Sequence, residues 1–249
     1  MLFDNHKLDK SVPIPLYFQL KELILSEIKK ENYKDGDMIP TENEISEEFQ
    51  ISRTTVRQAI TELVQEGWLY RVKSKGTFVT HPKINQDFLR KLESFRDQME
   101  RLGMKPSTQL MELRREKADE EVAKALNIQE GEQVIYLFRK RFADGEPIVT
   151  IQTYLPFDKC SFIMGHDLEK EALYDILALK EESRIRKVSR KIEAVEAGEE
   201  DAMFLNMEKG KPIQYFISVG FTAADVPLEY SKARYRGDRS TFEITVFTE

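Results

Sequence analysis

Two sets of residues in this chain of 249 have the types and spacing to do chemistry. The first is Ser52-Arg53-Thr54-Thr55-Val56-Arg57, followed by Lys73-Ser74-Lys75-Gly76. Hydroxyls and guanidiniums gathered at a helix start can reach base edges and phosphates, and lysines at a turn suit phosphate contact. The second is Arg139 and Arg141. Two apart on a strand, they share a face. Ile135 and Leu137 lie on that face too, so it is at least partly buried. Two guanidiniums there need an anion, either a ligand or protein carboxylates such as Glu229 or Asp238. No nucleophile–base pair accompanies them. His6, His81 and His166 are scattered without metal-ligand spacing, and the single Cys160 can form no internal disulfide. The reading is therefore of binding, with no catalytic residue, no metal and no cofactor.

The elements that position the first set are legible. Thr41 and Glu44 make a T-x-x-E capping box, opening a helix that buries Ile45 and Phe49. A turn at Gln50–Ile51 follows, and Ser52 caps a second helix. Its apolar stripe is Val56, Ala59, Ile60, Leu63 and Val64; its other face carries Arg53, Thr54, Thr55, Arg57, Gln58 and Thr61. Gly67 ends it. Trp68–Val72 and Thr77–Thr80 read as strands around the basic tip, where Gly76 gives the backbone freedom. Upstream, Pro13-Ile14-Pro15 opens a helix with Leu16, Leu20, Leu23, Ile24 and Ile28 on one face, and Asp35-Gly36-Asp37 is a turn. This is the order of a winged helix-turn-helix, and the partner it implies is double-stranded DNA. A formal net charge of −6 looks wrong for that partner. Its distribution resolves the conflict: from Ser52 to Lys83, Arg53, Arg57, Arg71, Lys73, Lys75 and Lys83 face only Glu62 and Glu66. Binding depends on a local basic face.

The second half carries an internal repeat. Ala118–Tyr136 (ADEEVAKALNIQEGEQVIY) and Ala197–Tyr215 (AGEEDAMFLNMEKGKPIQY) align at a constant offset of 79 residues. Each copy continues as a hairpin, Tyr136–Phe142 with Pro147–Tyr154 around Asp144-Gly145, and Tyr215–Phe221 with Pro227–Tyr235 around Ala224-Asp225. Strands at Leu110–Arg115 and Val188–Val195 precede the two helices. Two β-α-β-β halves forming one antiparallel sheet would leave a pocket between them. The fold class is α+β, with a DNA-binding domain at 1–82, a linker at 83–90 and a sensor and dimerisation domain at 91–249.

Hydrophobic residues make up 41%, enough for two cores. No run of 18 apolar residues exists and Met1–Lys10 lacks the apolar segment of a signal peptide, so the expected location is cytoplasmic with no membrane partner.

The chain resembles the HutC-type branch of the GntR family of bacterial transcription regulators, a winged helix-turn-helix joined to a UTRA sensor domain. The resemblance is carried by Pro15-Leu16-Tyr17 with Gln19, Pro40-Thr41-Glu42, Ser52–Arg57, Gly76-Thr77-Phe78-Val79 and Tyr235-Arg236-Gly237-Asp238-Arg239, and it covers the chain from about residue 13 onward. It implies a chorismate-lyase-like antiparallel-sheet sensor fold, a homodimer on a palindromic operator, and repression altered by a small metabolite; a ligand-responsive activator and a lyase-like enzyme are the alternatives. The DNA contacts it implies are Ser52, Arg53, Thr54, Thr55 and Arg57 with Lys75 and Gly76 of the wing, together with Thr41 and Asn43. Asn43 stands where the family often has Arg. The implied effector residues are Ser94, Arg139, Arg141, Gln152, Tyr174, Glu229 and Tyr235, with a sugar phosphate as the expected effector. Gln152 stands where relatives often place an acid that binds sugar hydroxyls, and Ala172 where sugar-phosphate sensors have a serine. Ser94, near a helix start, could offer hydroxyl and backbone N–H to phosphate. Effector binding is expected to act on the DNA-binding domains through the Lys83–Asp87 connector.

Overall fold

A computed structural model describes residues 8–30, 32–86 and 93–245. The part of the expected linker beyond Gln86 lies outside the described residues. The chain divides into two compact units, 1–83 and 84–249.

In the first unit, α1 (Leu16–Lys29), α2 (Glu42–Phe49) and α3 (Arg53–Gln65) precede a two-stranded antiparallel ribbon, β1 (Leu69–Val72) and β2 (Gly76–Val79). The apolar stripes read from the sequence form one core: Leu20, Ile24, Ile45, Val56, Ala59, Ile60, Leu63, Leu69 and Val79 are all within 1% of complete burial. Each of these leucines, isoleucines and valines contributes about 1.5–3 kcal/mol by leaving water. The capping box forms as read, with Glu44 N–H donating to Thr41 Oγ1 and Thr41 N–H donating to Glu44 Oε2. Gln50 takes the left-handed conformation, φ 53°, that turns the chain from α2 to α3. Gly76 is required where it stands: its φ is +139°, and a Cβ there would lie 2.9 Å from the Met38 sulfur.

The second unit is built on a six-stranded antiparallel sheet of order β4-β5-β6-β9-β8-β7. The strands are β4 (Pro106–Lys117), β5 (Gln133–Ala143), β6 (Glu146–Pro156), β7 (Lys187–Glu196), β8 (Pro212–Phe221) and β9 (Pro227–Arg236). The strands expected at Leu110–Arg115 and Val188–Val195 are β4 and β7, each longer than read. A short parallel pair completes the unit, β3 (Ile84–Asn85) with β10 (Ser240–Thr241). It lies where a linker was expected: Ile84 N–H donates to the Arg239 carbonyl and Gln86 N–H to the Thr241 carbonyl.

The repeat is visible residue by residue. Helices α5 (Glu120–Leu126) and α8 (Glu199–Leu205) both end on a left-handed asparagine, Asn127 at φ 52° and Asn206 at φ 49°. Gly131 and Gly210, at φ 83° and 82°, return their N–H groups to the carbonyls of Ala118 and Ala197. An asparagine tolerates this conformation, which explains the shared L-N-x-x-x-G. Helix α5 packs on one sheet face, against Tyr154 and Tyr230. On the other, α6 (Phe157–Cys160) and α7 (Leu173–Leu177) bury Ile135, Leu137, Leu155 and Leu228, and α4 (Phe95–Arg101) closes over Val149, Ile151 and Ala233. No helix among the described residues is long and apolar enough to cross a membrane.

Candidate functional site

The start of α3 gathers one group of predicted residues. Ser52 caps the helix, its Oγ accepting from Thr55 N–H at 3.1 Å and lying 2.8 Å from Thr55 Oγ1. Arg53 and Thr54 are exposed beside it. Arg57 is held from the side, its Nε donating to Glu42 Oε2 at 3.0 Å, while Arg71 Nη2 donates to the other oxygen of Glu42 at 3.3 Å and to Thr61. Asn43 is exposed one residue after Glu42, and Thr41 caps the same helix. Lys75 is exposed at the ribbon tip next to Gly76. The unit thus presents an exposed polar helix end and a basic tip.

The second group surrounds a cavity on the α4/α7 face of the sheet. It encloses about 760 Å³, counting its open mouth. Register builds its floor in rows, because residues opposite each other on neighbouring strands point the same way. One row is Arg139–Ile151–Ala233–Phe216; the next is Arg141–Val149–Tyr235; a third is Thr153–Ser231–Ser218–Arg190. Glu229 sits opposite Gly220. Ser94, Ala172 and Tyr174 line the cavity from above.

Arg139 is 3% exposed, and its Nε, like that of Arg141, is buried without a hydrogen-bond partner. Burial and the neighbouring Arg141 push the Arg139 guanidinium down to about 9, and burial lowers Arg141 as well. Arg141 lies over the Phe95 ring, 5.3 Å from its centre. Two carboxylates were candidates to neutralise the pair. Asp238 is taken by Arg236, which donates Nε and Nη2 to its two oxygens at 3.1 and 2.7 Å. Glu229 lines the cavity but accepts the Tyr174 hydroxyl at 2.5 Å. Burial and Glu229 drive the Tyr174 phenol well above its usual value, and burial pushes Tyr235 up to about 12. Both phenols therefore stay neutral donors at neutral pH. The arrangement can bind an anion at the arginine pair and offer a carboxylate and two phenols around it.

The predicted set is corrected at one position. Gln152 does not line the cavity: it follows Ile151, which does, and so points through the sheet to the opposite face beside Tyr136. The wall next to Arg139 is therefore the apolar Ile151. Ser94 lines the cavity, but as the cap of α4 its hydroxyl is already engaged, accepting from Asp97 N–H and donating to Asp97 Oδ2. Arg190, Ser218 and Ser231 were missed. The alternation Val188-Arg190-Ile192 was the signal that Arg190 shares a face with an apolar neighbour.

Comparison with known proteins agrees with this division of labour. Residues 16–79 match the family described as bacterial regulatory proteins, gntR family, and residues 101–241 match the UTRA domain. The HTH-type transcriptional repressor NagR of Bacillus subtilis is 32% identical over 235 residues, 94% of this chain and 96% of that protein. The probable fructoselysine utilization operon transcriptional repressor of Escherichia coli is 28% identical over 229 residues, 92% of this chain and 93% of that one. Among solved structures, PhnF from Mycobacterium smegmatis superposes with a TM-score of 0.69 at 25% identity, over 94% of this chain and 99% of that one. With the GntR helix-turn-helix in its first unit and the UTRA domain in its second, the chain belongs to the GntR family of bacterial regulatory proteins: it is a DNA-binding transcription regulator with an effector domain, and not an enzyme.

Proposed function

We propose that this regulator is a repressor whose operator affinity is set by a small anionic metabolite, a sugar phosphate, held by Arg139 and Arg141. The observation that carries this reading is the pair of buried guanidiniums, each with an unpartnered Nε, facing one cavity. A buried unpaired charge is costly, and a phosphate would supply the missing acceptors in charge-assisted bonds. Tyr174, Glu229, Tyr235 and Ser94 complete the site. Support for repression comes from the relatives named above, and support for a carbohydrate-derived effector from the fructoselysine operon of one of them.

On the DNA side, Arg53, Thr54, Thr55 and Arg57 read the major groove with Ser52. Thr41 and Asn43 contact the backbone, and Lys75 and Gly76 place the wing on phosphate. The protein acts as a homodimer, its two recognition helices entering successive major grooves of a palindromic site. The DNA-binding domain ends near Lys83, and the following connector carries the effector's influence to it.

The test is to select bound fragments from fragmented genomic DNA and measure affinity for the best of them with and without phosphorylated sugars. A palindromic fragment whose affinity changes in the presence of one such compound supports the reading. Operator affinity unmoved by every phosphorylated sugar overturns the effector assignment.

A further inference from the structure

We infer that Glu42 is a positioning residue for sequence discrimination: its carboxylate holds Arg57 of the recognition helix and Arg71 of the wing in one arrangement, which favours operator over random DNA. This deepens the reading of Arg57 as a base contact proposed above and rests on it.

Three elements meet at this carboxylate. Glu42 stands in the first turn of α2, Arg57 in the second turn of α3, and Arg71 on β1. Arg57 Nε donates to Glu42 Oε2 at 3.0 Å, and Arg71 Nη2 donates to Glu42 Oε1 at 3.3 Å. Arg71 Nη2 also donates to Thr61 Oγ1 at 3.1 Å. Arg57 and Thr61 are four apart on α3 and so share a face. The wing strand is thus tied to that face of α3 at two points, directly through Thr61 and by way of Glu42 to Arg57. The acids near the other end of α3 are engaged elsewhere: Glu62 and Glu66 bind Lys21 of α1 at 3.4 and 2.8 Å.

Stability does not account for the contact. The side chains of Arg57 and Arg71 are 65% and 43% exposed, against 26% for Glu42. Ion pairs this open to water add little to folding. A carboxylate beside a DNA-binding helix also carries a cost, because phosphates supply most of the sequence-independent affinity and a negative group repels them.

What the carboxylate gives in return is order. A long side chain loses rotamer freedom when it binds, and one that is already held loses less. With its Nε on Glu42, Arg57 keeps Nη1 and Nη2 for DNA, two donors in a rigid fork that can meet the O6 and N7 of a guanine. The repulsion acts on every DNA alike. The ordering helps only where Arg57 meets its base. Together they widen the gap between operator and random DNA.

Fluorescence anisotropy of the full chain, on the selected operator fragment and on random duplex of equal length at physiological ionic strength, tests this. Glu42→Gln should weaken operator binding roughly tenfold and tighten random DNA roughly threefold. Opposite directions are the signature: loss of structure weakens both, and loss of a charge alone tightens both. Glu48 is exposed on the same helix, and Glu48→Gln, which removes the same charge, should leave the operator-to-random ratio unchanged. In an Arg57→Ala background, Glu42→Gln should no longer weaken the operator. The melting temperature should stay within a few degrees of the wild type. A Glu42→Gln effect that has the same direction on both DNAs, is absent, is matched by Glu48→Gln, or persists without Arg57 overturns the inference and leaves Arg57 as a reader. An Arg57→Ala variant with an unchanged operator-to-random ratio removes Arg57 as a base contact, and the positioning role with it.

Discussion

The hydroxyl of Tyr174 donates to Glu229 Oε2 at 2.5 Å, so a carboxylate that lines the cavity with the arginine pair is engaged by a phenol. Arg139 and Arg141 keep buried Nε groups unpartnered. The fold therefore holds positive charge that the protein itself does not fully satisfy, a cost that anion binding would relieve.

Replacing Arg139 with methionine tests that cost. The substitution keeps an unbranched apolar stem and removes a charge that burial already disfavours, so Arg139→Met should stabilise the ligand-free protein, by about 1 kcal/mol or more. Denaturant unfolding of the two proteins measures it. A destabilised variant would mean that Arg139 is satisfied within the fold.

Arg53 is exposed at the start of α3, beside the capped Ser52–Thr55 turn. If it reads a guanine, Arg53→Ala should cost about 1–3 kcal/mol on the selected operator fragment and much less on random DNA. Fluorescence anisotropy on both DNAs checks this. Equal losses on the two would make Arg53 a phosphate contact.

Cys160 is fully buried, and burial pushes its thiol up to about 12. An unfolded thiol titrates near about 8.5. Between those values the folded chain holds a proton that the unfolded chain has lost, so this residue's contribution to stability falls as pH rises through that window. Cys160→Ala should flatten the decline in unfolding free energy above pH 8.5, while alkylation at pH 8 should require unfolding. Rapid alkylation of the native protein would contradict the burial.

Much of this was legible in the sequence because local signals and long-range order agree. The Thr41–Glu44 box, the Ser52 cap and the apolar stripe of α3 each act over four residues or fewer, and all three form. The repeat was readable because Asn127 with Gly131, and Asn206 with Gly210, meet the same positive-φ demands twice. Gln152 was expected at the site from the family resemblance alone, and the strand register places it elsewhere. A regular hairpin from Ala143↔Glu146 and Phe142↔Pro147 would set Gln152 opposite Leu137, on the arginine face. The actual register steps from Phe142↔Pro147 to Arg141↔Val149, a bulge that skips Ile148. One extra residue reverses the facing of everything beyond it, so Ile151 faces the cavity and Gln152 does not. Arg190 was missed because its partners, Ser218 and Ser231, join it only through strand pairing across the sheet.

The most direct test of the central claim is thermal unfolding of the wild type and Arg139→Met across phosphorylated sugars at constant ionic strength. A concentration-dependent rise in melting temperature for at least one compound in the wild type, absent in the variant, is the predicted result. A flat wild-type response, or an equal rise in both proteins, would contradict an effector site built on the buried arginine pair.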